Sequence, residues 1–193
     1  IAEETAVALA SGIAAGGGKP VYPVYSTFIQ RAFDQLSQDL CINNNAATLV
    51  VFAASVFGMN DVTHLGIYDI PMMSNIPNLV MLDWSVEQNE HPVAIRIPCC
   101  EFISNGEKIT KDFSKLNKYE VGQQGSDVAF IGLGSFYPLA KEAAKLYEEK
   151  TGTKATVINP YYITGVDEEL LTSLKLNHKA VVSLEDGILD GGF

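Results

Sequence analysis

The feature that most constrains the fold is an uninterrupted apolar segment at 48–54, TLVVFAA. A run without polar alternation is typical of a parallel strand that is buried on both faces. Five further segments favour strands, and helical patterns lie between most of them: 20–25, 93–97, 128–133, 154–158 and 179–184. Alternating strands and helices predict an α/β chain built from two doubly wound, mainly parallel sheets.

Helix signals lie between these strands. An alanine-rich helix is predicted over 2–15, ended by Gly16-Gly17-Gly18. After the first strand, Ser26 or Thr27 is predicted to cap a helix that continues to about Ile42. Later helices are predicted within 65–76, over 136–151 and over 167–175.

The pattern also predicts where the chain divides. Residues 101–126 are polar and rich in Gly, Ser and Lys, as expected of a connection between domains. We therefore predict a first domain at 1–104, a linker at 105–126 and a second domain at 127–193. The second domain is expected to be incomplete, because the sequence stops before a doubly wound sheet would close.

Composition excludes several classes of partner. The 193 residues are 47% apolar and 19% charged, which is typical of a folded soluble protein. A net charge of −10 argues against nonspecific nucleic-acid binding, which needs a basic surface. No apolar run approaches the roughly 20 residues of a membrane helix. Three poorly spaced cysteines give neither a disulfide framework nor a metal site, so we expect a reduced, cytoplasmic protein.

The segment YSTFIQRAFDQ at 25–35 is the first candidate for a binding site. Phe28 and Arg31 are three residues apart on a predicted helix and share a face. The helix follows a strand end, where open α/β sheets hold ligands. On spacing alone, a core role for Phe28 and a solvated charge for Arg31 remain the favoured interpretation.

This segment resembles a known family. YSTFIQRAFDQ, the IAEE start at 1–4 and the Thr63-His64 pair are similar to the 1-deoxy-D-xylulose-5-phosphate synthase branch of the transketolase family. The likeness extends to about residue 187. It implies a pyrimidine-binding domain followed by part of a transketolase C-terminal domain. It further implies that the chain is the downstream portion of a larger enzyme, or one partner of a split enzyme.

The resemblance implies a thiamine diphosphate site with a catalytic glutamate. Glu3 would hydrogen-bond a ring nitrogen of the cofactor's aminopyrimidine, and a buried carboxyl with a raised pKa would suit that role. Phe28 would stack on the same ring, and Arg31 would line the wall beside it. Without the resemblance, Glu3 is a helix-start carboxylate that suits the helix dipole.

The same resemblance implies the substrate side of the site. Tyr25 and Asn60 would contact the substrate, and His64 would transfer a proton to or from its oxygen. The residue-based alternative for His64 is an ordinary loop imidazole. The substrates implied are pyruvate as keto donor and an aldehyde acceptor, glyceraldehyde 3-phosphate or another.

The sequence departs from the family pattern at four positions, and two of them concern the acceptor's phosphate. Ala53 and Cys99 stand where the family has arginines for the aldehyde's phosphate, Asn60 stands for an aspartate, and Thr5 stands for a histidine. Losing two bidentate phosphate donors would remove much of the affinity for a phosphorylated acceptor.

The metal and diphosphate side of the site is expected elsewhere. The sequence carries no GDG-type motif, so Mg²⁺ and the diphosphate would be held by an N-terminal diphosphate-binding domain, in cis or in trans. No metal ligands are predicted in this chain, and the family suggests a homodimer.

The Val80–Met81 junction departs from the family in a different way. Residues 79–83 alone would favour one strand, but the family separates the counterparts of Val80 and Met81 by a loop and a helix start. We therefore predict that residues are missing here and that 81–88 continue a helix.

Two alternatives to this synthase-like transferase stay open. The first is a split transketolase C-terminal subunit or the β-type subunit of a keto-acid dehydrogenase. The second is a noncatalytic α/β scaffold, in which the absent arginines reflect lost function.

Overall fold

The computed structural model describes residues 2–55, 62–82, 90–98 and 111–193. The chain forms two compact units, one of Ile1–Glu101 with Asp186–Gly192 and one of Phe102–Glu185 with Phe193. Each unit contains one four-stranded sheet and its helices, so the predicted fold class is confirmed. No helix in the described ranges is long and apolar enough to cross a membrane.

The first unit is built on a wholly parallel sheet. Its strands are β1 (Val21–Tyr25), β2 (Thr48–Ala54), β3 (Val80–Leu82) and β4 (Val93–Pro98). The strand order is β1-β2-β4-β3, and every pairing is parallel. As predicted, β2 is the apolar run at 48–54. It lies between two neighbours, and its Leu49 and Val51 side chains are fully buried.

The helices of this unit follow the predicted order. α1 spans Glu3–Ala15, α2 spans Ser26–Ile29 and α3 spans Asp69–Met73. A 3₁₀ turn at Gln30–Ala32 and a π-helical segment at Gln35–Cys41 extend α2 towards Ile42. A further 3₁₀ turn covers Val62–His64.

The predicted cap of α2 is wrong. Tyr25 precedes the first helical residue, and no side chain caps this end of the helix. The Thr27 hydroxyl instead donates to the Thr63 carbonyl oxygen, 3.1 Å away. A threonine that can reach a neighbouring loop is thus used for tertiary structure, and sequence alone does not distinguish this use from capping.

The helix predicted to continue through 81–88 is wrong at its start. Met81 and Leu82 lie in β3, paired in register with Ala94 and Ile95 of β4. Because Met81 is fully buried beside β4, its apolar side chain favours the strand. Residues 83–89 lie outside the described residues, and the missing residues at Val80–Met81 stay a prediction.

The second unit has a mixed sheet. Its strands are β5 (Glu120–Gln123), β6 (Asp127–Gly132), β7 (Thr156–Asn159) and β8 (His178–Leu184). The order is β5-β7-β6-β8, with only β5 antiparallel to its neighbour. β5 lies inside the segment predicted to be a linker. Its sequence EVGQ has a single β-branched residue and no apolar run, so the strand depends on its pairing with β7.

Two helices complete the second unit and agree with prediction. They are α4 (Phe136–Thr151) and α5 (Glu168–Leu174). α4 packs the small residues Ala140 and Ala144 against Ala155 and Val157. A second cluster forms around Ile131 and Ile158 with Leu174 of α5.

Buried and exposed leucines in the first unit should differ in their contribution to stability. Leu49→Ala removes a fully buried side chain from β2 and should lower the free energy of unfolding by about 2–5 kcal/mol. Leu9→Ala, at a position 63% exposed on α1, should change it by less than about 0.5 kcal/mol. Urea titrations followed by circular dichroism measure both; equal losses would contradict this assignment of the core.

Candidate active site

The site lies where β1 ends and α2 begins. Tyr25 closes β1 and is paired in register with Phe52 of β2, and their ring centroids are 4.3 Å apart. Phe28, one turn into the helical segment, has its ring 5.7 Å from that of Tyr25 in an edge-on arrangement. The carboxyl ends of these parallel strands therefore carry a continuous aromatic surface. This surface is partly exposed to solvent at Tyr25.

A buried carboxylate adjoins this aromatic surface. Glu3 is only 4% exposed, although it lies in the first turn of α1. The Arg31 Nη1 atom is 3.8 Å from Glu3 Oε1, and the guanidinium carbon lies 5.1 Å from the centre of the Phe28 ring. Arg31 thus connects the carboxylate to the ring by an ion pair and a cation–π contact.

The pKa of Glu3 is lowered from its ordinary value, so the expectation of a raised pKa is wrong. A hydrogen bond from the amino group at the start of the chain is the largest cause, followed by a backbone hydrogen bond at Glu3 itself. Burial opposes both by raising the pKa, and the Arg31 charge adds a smaller lowering effect. The prediction of a raised Glu3 pKa considered burial but not these hydrogen-bond donors.

His64 is the last member of this group of contacts and adjoins Phe28. Its ring lies 5.3 Å from the Phe28 ring, nearly perpendicular to it. The Thr63 hydroxyl is 2.9 Å from His64 Nδ1, and the Thr63 carbonyl accepts the Thr27 hydrogen bond. The turn that carries the imidazole is therefore attached to α2 beside the aromatic surface.

Five of the six predicted site residues are connected by contacts in the structure. Glu3 contacts Arg31, Arg31 contacts Phe28, and Phe28 contacts both Tyr25 and His64. The sixth, Asn60, lies outside the described residues, as does Cys99. The contacts bring these five side chains together, and the roles predicted for them stay predictions.

The backbone at the end of β2 is strained. Ala53 has φ +54° and Ser55 has φ +80°, in the left-handed region that side chains other than glycine rarely adopt. The pairing register of β2 with β4 also shifts between Val51 and Ala54. Such strain is frequent at ligand-binding edges, and here it immediately precedes the segment that leads to His64.

Gly66 allows the chain to return close to this strained end. It forms a two-way bridge with Ser55, whose N–H donates to the Gly66 carbonyl over 2.7 Å. A Cβ at position 66 would meet the Ala53 carbonyl oxygen and would lie 2.6 Å from Ala54 Cα. Only a residue without a side chain fits there.

One charged cluster was missed by the sequence analysis. Arg96 of β4 is buried and pairs with Asp69 at the start of α3 and with Asp186. The available signal was an arginine in the otherwise apolar segment VAIRI, since a buried charge needs a partner. The sequence did not indicate which acidic residues would supply it.

The described side chains suit a flat heteroaromatic ring better than a metal ion. Within the described ranges, no three His, Cys, Asp or Glu side chains gather as metal ligands. A buried carboxylate next to a partly exposed aromatic surface offers one polar contact and one stacking contact. These two features fit the pyrimidine half of thiamine diphosphate.

Fold and site together define an α/β protein with a cluster of aromatic and charged side chains at the carboxyl ends of its parallel sheet. The chain belongs to the transketolase family: residues 1–98 match the model for the transketolase pyrimidine binding domain. Residues 117–193 match the model for the transketolase C-terminal domain. The resemblance stated from the sequence is confirmed.

Curated relatives agree. The chain is 38% identical over 210 residues to a 1-deoxy-D-xylulose-5-phosphate synthase of Clostridium perfringens (strain SM101 / Type A), and all of it aligns. It is 38% identical over 207 residues to the enzyme of that name from Halothermothrix orenii. The chain spans about a third of the length of these relatives, 33% and 32% respectively.

Solved structures share the fold. A structure described as a split gene transketolase, inactive beta4 tetramer, superposes over the whole chain with a TM-score of 0.81 at 25% identity, and 65% of that chain is covered. A mutant transketolase from Pichia stipitis superposes over 95% of this chain and 29% of its own, with a TM-score of 0.74 at 20% identity.

Two glycine substitutions should have opposite effects. Gly66→Ala forces a Cβ into the end of β2 and should lower the free energy of unfolding by about 1–3 kcal/mol. Gly12→Ala meets nothing within 4 Å on the exposed face of α1 and should raise it by about 0.5–1 kcal/mol. Chemical denaturation of both variants gives the comparison; a neutral Gly66→Ala would show that the Ser55–Gly66 approach is looser than described.

Proposed function

We propose that this chain supplies the pyrimidine-binding side of the active site in a thiamine-diphosphate-dependent transferase similar to 1-deoxy-D-xylulose-5-phosphate synthase. The reaction joins a keto acid that loses its carboxyl group, pyruvate, to an aldehyde. The observation that carries the proposal is the unbroken series of contacts from buried Glu3 through Arg31 and Phe28 to His64. The names and lengths of the curated relatives support it.

Glu3 holds the cofactor in a defined protonation state. Bound thiamine diphosphate supplies the carbanion chemistry, and the protein tunes it. The Glu3 carboxyl shares a proton with a ring nitrogen of the pyrimidine. Its burial suits a hydrogen bond to the ring, because water competes little for a carboxyl that is removed from solvent. In a polypeptide where a peptide bond replaces the amino group beside Glu3, the largest effect that lowers its pKa is absent.

Phe28 and Arg31 orient the ring. The Phe28 side chain offers an aromatic surface for stacking, and Arg31 keeps that surface and Glu3 in one geometry through its two contacts. An aromatic contact of this kind contributes about 0.5–1.5 kcal/mol beyond the area buried. Arg31 is partly exposed, so its role is to line the wall rather than to hold a buried charge.

Substrate contacts come from the opposite side of Phe28. His64 exchanges a proton with the substrate oxygen, and its Nδ1 contact with Thr63 orients the ring for that transfer. Tyr25, partly exposed at the end of β1, contacts the substrate, and we assign the same role to Asn60. Because Ala53 and Cys99 replace the family's arginines, the acceptor is glyceraldehyde 3-phosphate bound weakly, or a different aldehyde.

The site is completed by a partner domain. An N-terminal diphosphate-binding domain, in cis or in trans, holds Mg²⁺ and the diphosphate, and the active assembly is a homodimer. α1 supports an assembly role, because it carries no charge from Thr5 to Ala15 and exposes Leu9 and Ile13 to solvent by 63% and 45%. Uncharged helix faces of this kind are typical of protein interfaces.

Glu3→Gln tests the proposed chemistry. In the protein that also contains the diphosphate-binding domain, it should lower turnover of pyruvate with glyceraldehyde 3-phosphate by about 100- to 10,000-fold, the contribution of proton transfer by a placed side chain. Glu4→Gln is the matched control: the neighbouring carboxylate is exposed, and turnover should stay within about twofold.

Calorimetry separates the enzyme from a scaffold. The wild-type protein that also contains the diphosphate-binding domain should bind thiamine diphosphate in the presence of Mg²⁺. Absence of binding would refute the enzyme and favour the noncatalytic alternative. Binding with turnover unchanged in Glu3→Gln would leave a thiamine protein but remove the role assigned to Glu3.

The assembly is tested separately. A double variant, Leu9→Glu with Ile13→Glu, places two charges on the apolar face of α1 and should convert a dimer into monomers in sedimentation velocity experiments. Leu146→Glu makes a comparable change at a position 56% exposed on α4 and should leave the dimer intact. A dimer that survives the double variant would exclude α1 as the interface.

A further inference from the structure

A buried arginine cluster lies beside the segment that carries His64. Arg96 Nε donates to Asp69 Oδ2 over 2.8 Å and Nη1 donates to Asp186 Oδ1 over 2.7 Å. Its Nη2 donates to the Gly66 carbonyl oxygen over 3.4 Å. Because each of its three nitrogens has a different acceptor, the plane of the guanidinium is fixed by all three together.

The third acceptor of this cluster joins it to His64. Gly66 is two residues beyond His64, and its carbonyl also accepts the Ser55 N–H. On the other side of His64, the Thr63 carbonyl accepts from Thr27. His64 therefore lies in the chain between two carbonyl groups that accept hydrogen bonds. The Thr63 carbonyl is bonded to Thr27 of α2, and the Gly66 carbonyl is bonded to Arg96.

The second carboxylate comes from far along the chain. Asp186 follows β8, and Asp186–Gly192 belongs to the first compact unit. The sequence separation between Arg96 and Asp186 is 90 residues, and both side chains are less than a tenth exposed. A charge pair at this burial is disrupted at a large energetic cost when one partner is removed.

We infer that Asp186 is a positioning residue: through Arg96 and the Gly66 carbonyl, it sets the place of His64 beside Phe28. The catalytic meaning of this placement rests on the proposed function, whereas the placement itself does not.

The contacts of Asp69 indicate why Arg96 needs Asp186 to keep its orientation. Only one of the two carboxylate oxygens of Asp69 is used by Arg96, and Asp69 Oδ1 is buried with no hydrogen-bond partner among the described residues. Without Asp186, the guanidinium gains by turning to bind both oxygens of Asp69, since the bidentate arrangement is the stronger one. That rotation moves Nη2 away from Gly66.

The electrostatics of the cluster support the same role for Asp186. Burial raises the pKa of Asp69, and the Arg96 charge and hydrogen bond oppose that rise. The Asp186 charge also raises the pKa of Asp69, so removing Asp186 leaves the Asp69 carboxylate better able to accept from Arg96.

The test compares Asp186→Ala, Asp186→Asn and a control, Asp190→Ala, at an exposed position of the same segment. Proton–carbon spectra of the histidine rings are recorded for the 193-residue chain, with His64 assigned through His64→Gln. The Phe28 ring shifts the His64 signals, so Asp186→Ala should move them towards those of a free histidine. Asp186→Asn keeps an acceptor oxygen and should move them less, and Asp190→Ala should leave them unchanged.

The His178 signals, from the second unit, report whether the rest of the chain stays folded. Unmoved His64 signals in folded Asp186→Ala would overturn the inference. Loss of the folded first unit in both Asp186 variants would also overturn it, because Asp186 would then serve stability alone.

Kinetics add a second reading if the proposed function holds. Displacement of a proton-transfer group should lower kcat of the Asp186→Ala protein by up to about 100-fold, with a smaller change in KM. Moved His64 signals in a protein that binds no thiamine diphosphate would keep the positioning role and reject the enzyme. Unmoved His64 signals in an active enzyme would reject the positioning role and keep the proposed function.

Discussion

Parallel pairing of β2 with β1 and β4 is the constraint on which the rest of the first unit depends. It places three strand ends at one edge of the sheet, and from there the chain enters α2, the segment before His64, and the residues after Arg96. An antiparallel arrangement would send these segments to opposite edges. The apolar residues of β2 enforce the pairing, because a strand that is buried on both faces needs a neighbour on each side. Functional geometry here follows from burial.

The same edge concentrates charges that are removed from water. Glu3 and Arg96 are each less than a tenth exposed, and both are accompanied by an opposite charge. Buried pairs add little net stability compared with apolar residues of the same volume. Their value is geometric: a buried charge with several partners tolerates few orientations. We interpret the two clusters accordingly: the ion pair with Glu3 restricts Arg31 beside Phe28, and the Arg96 cluster holds the Gly66 carbonyl.

Prediction from sequence succeeded where local pattern and burial agree. β2 and α4 match their predicted bounds, because a continuous apolar run and a long amphipathic helix each permit one structure. Prediction from sequence failed where pairing with a neighbouring strand determines the structure. Met81 forms a strand through its contact with β4, and β5 has no apolar run yet joins the sheet through β7. The grouping of Glu3, Phe28 and His64 was predictable from the family resemblance, whereas spacing alone favoured an ordinary core residue at Phe28. The Arg96–Asp186 pair joins residues 90 positions apart, and no local signal specifies such a partner.

Some departures from the family pattern fall at residues assigned to the acceptor. Under the proposed function, Glu3, Phe28 and Arg31 face the cofactor and match the pattern, whereas Ala53 replaces an arginine on the acceptor side. Ala53 also adopts a left-handed backbone conformation, in which the strain arises at its Cβ. The alignment with the Clostridium perfringens relative spans 210 positions, more than the 193 residues of this chain, which shows that the relative carries residues with no counterpart here. Under the proposed function, the missing phosphate donor changes how the acceptor is held, whereas Glu3, Phe28 and Arg31 still match the family pattern on the cofactor side. Differences of this kind alter the acceptor before they alter the chemistry, because binding of the second substrate depends on its own contacts.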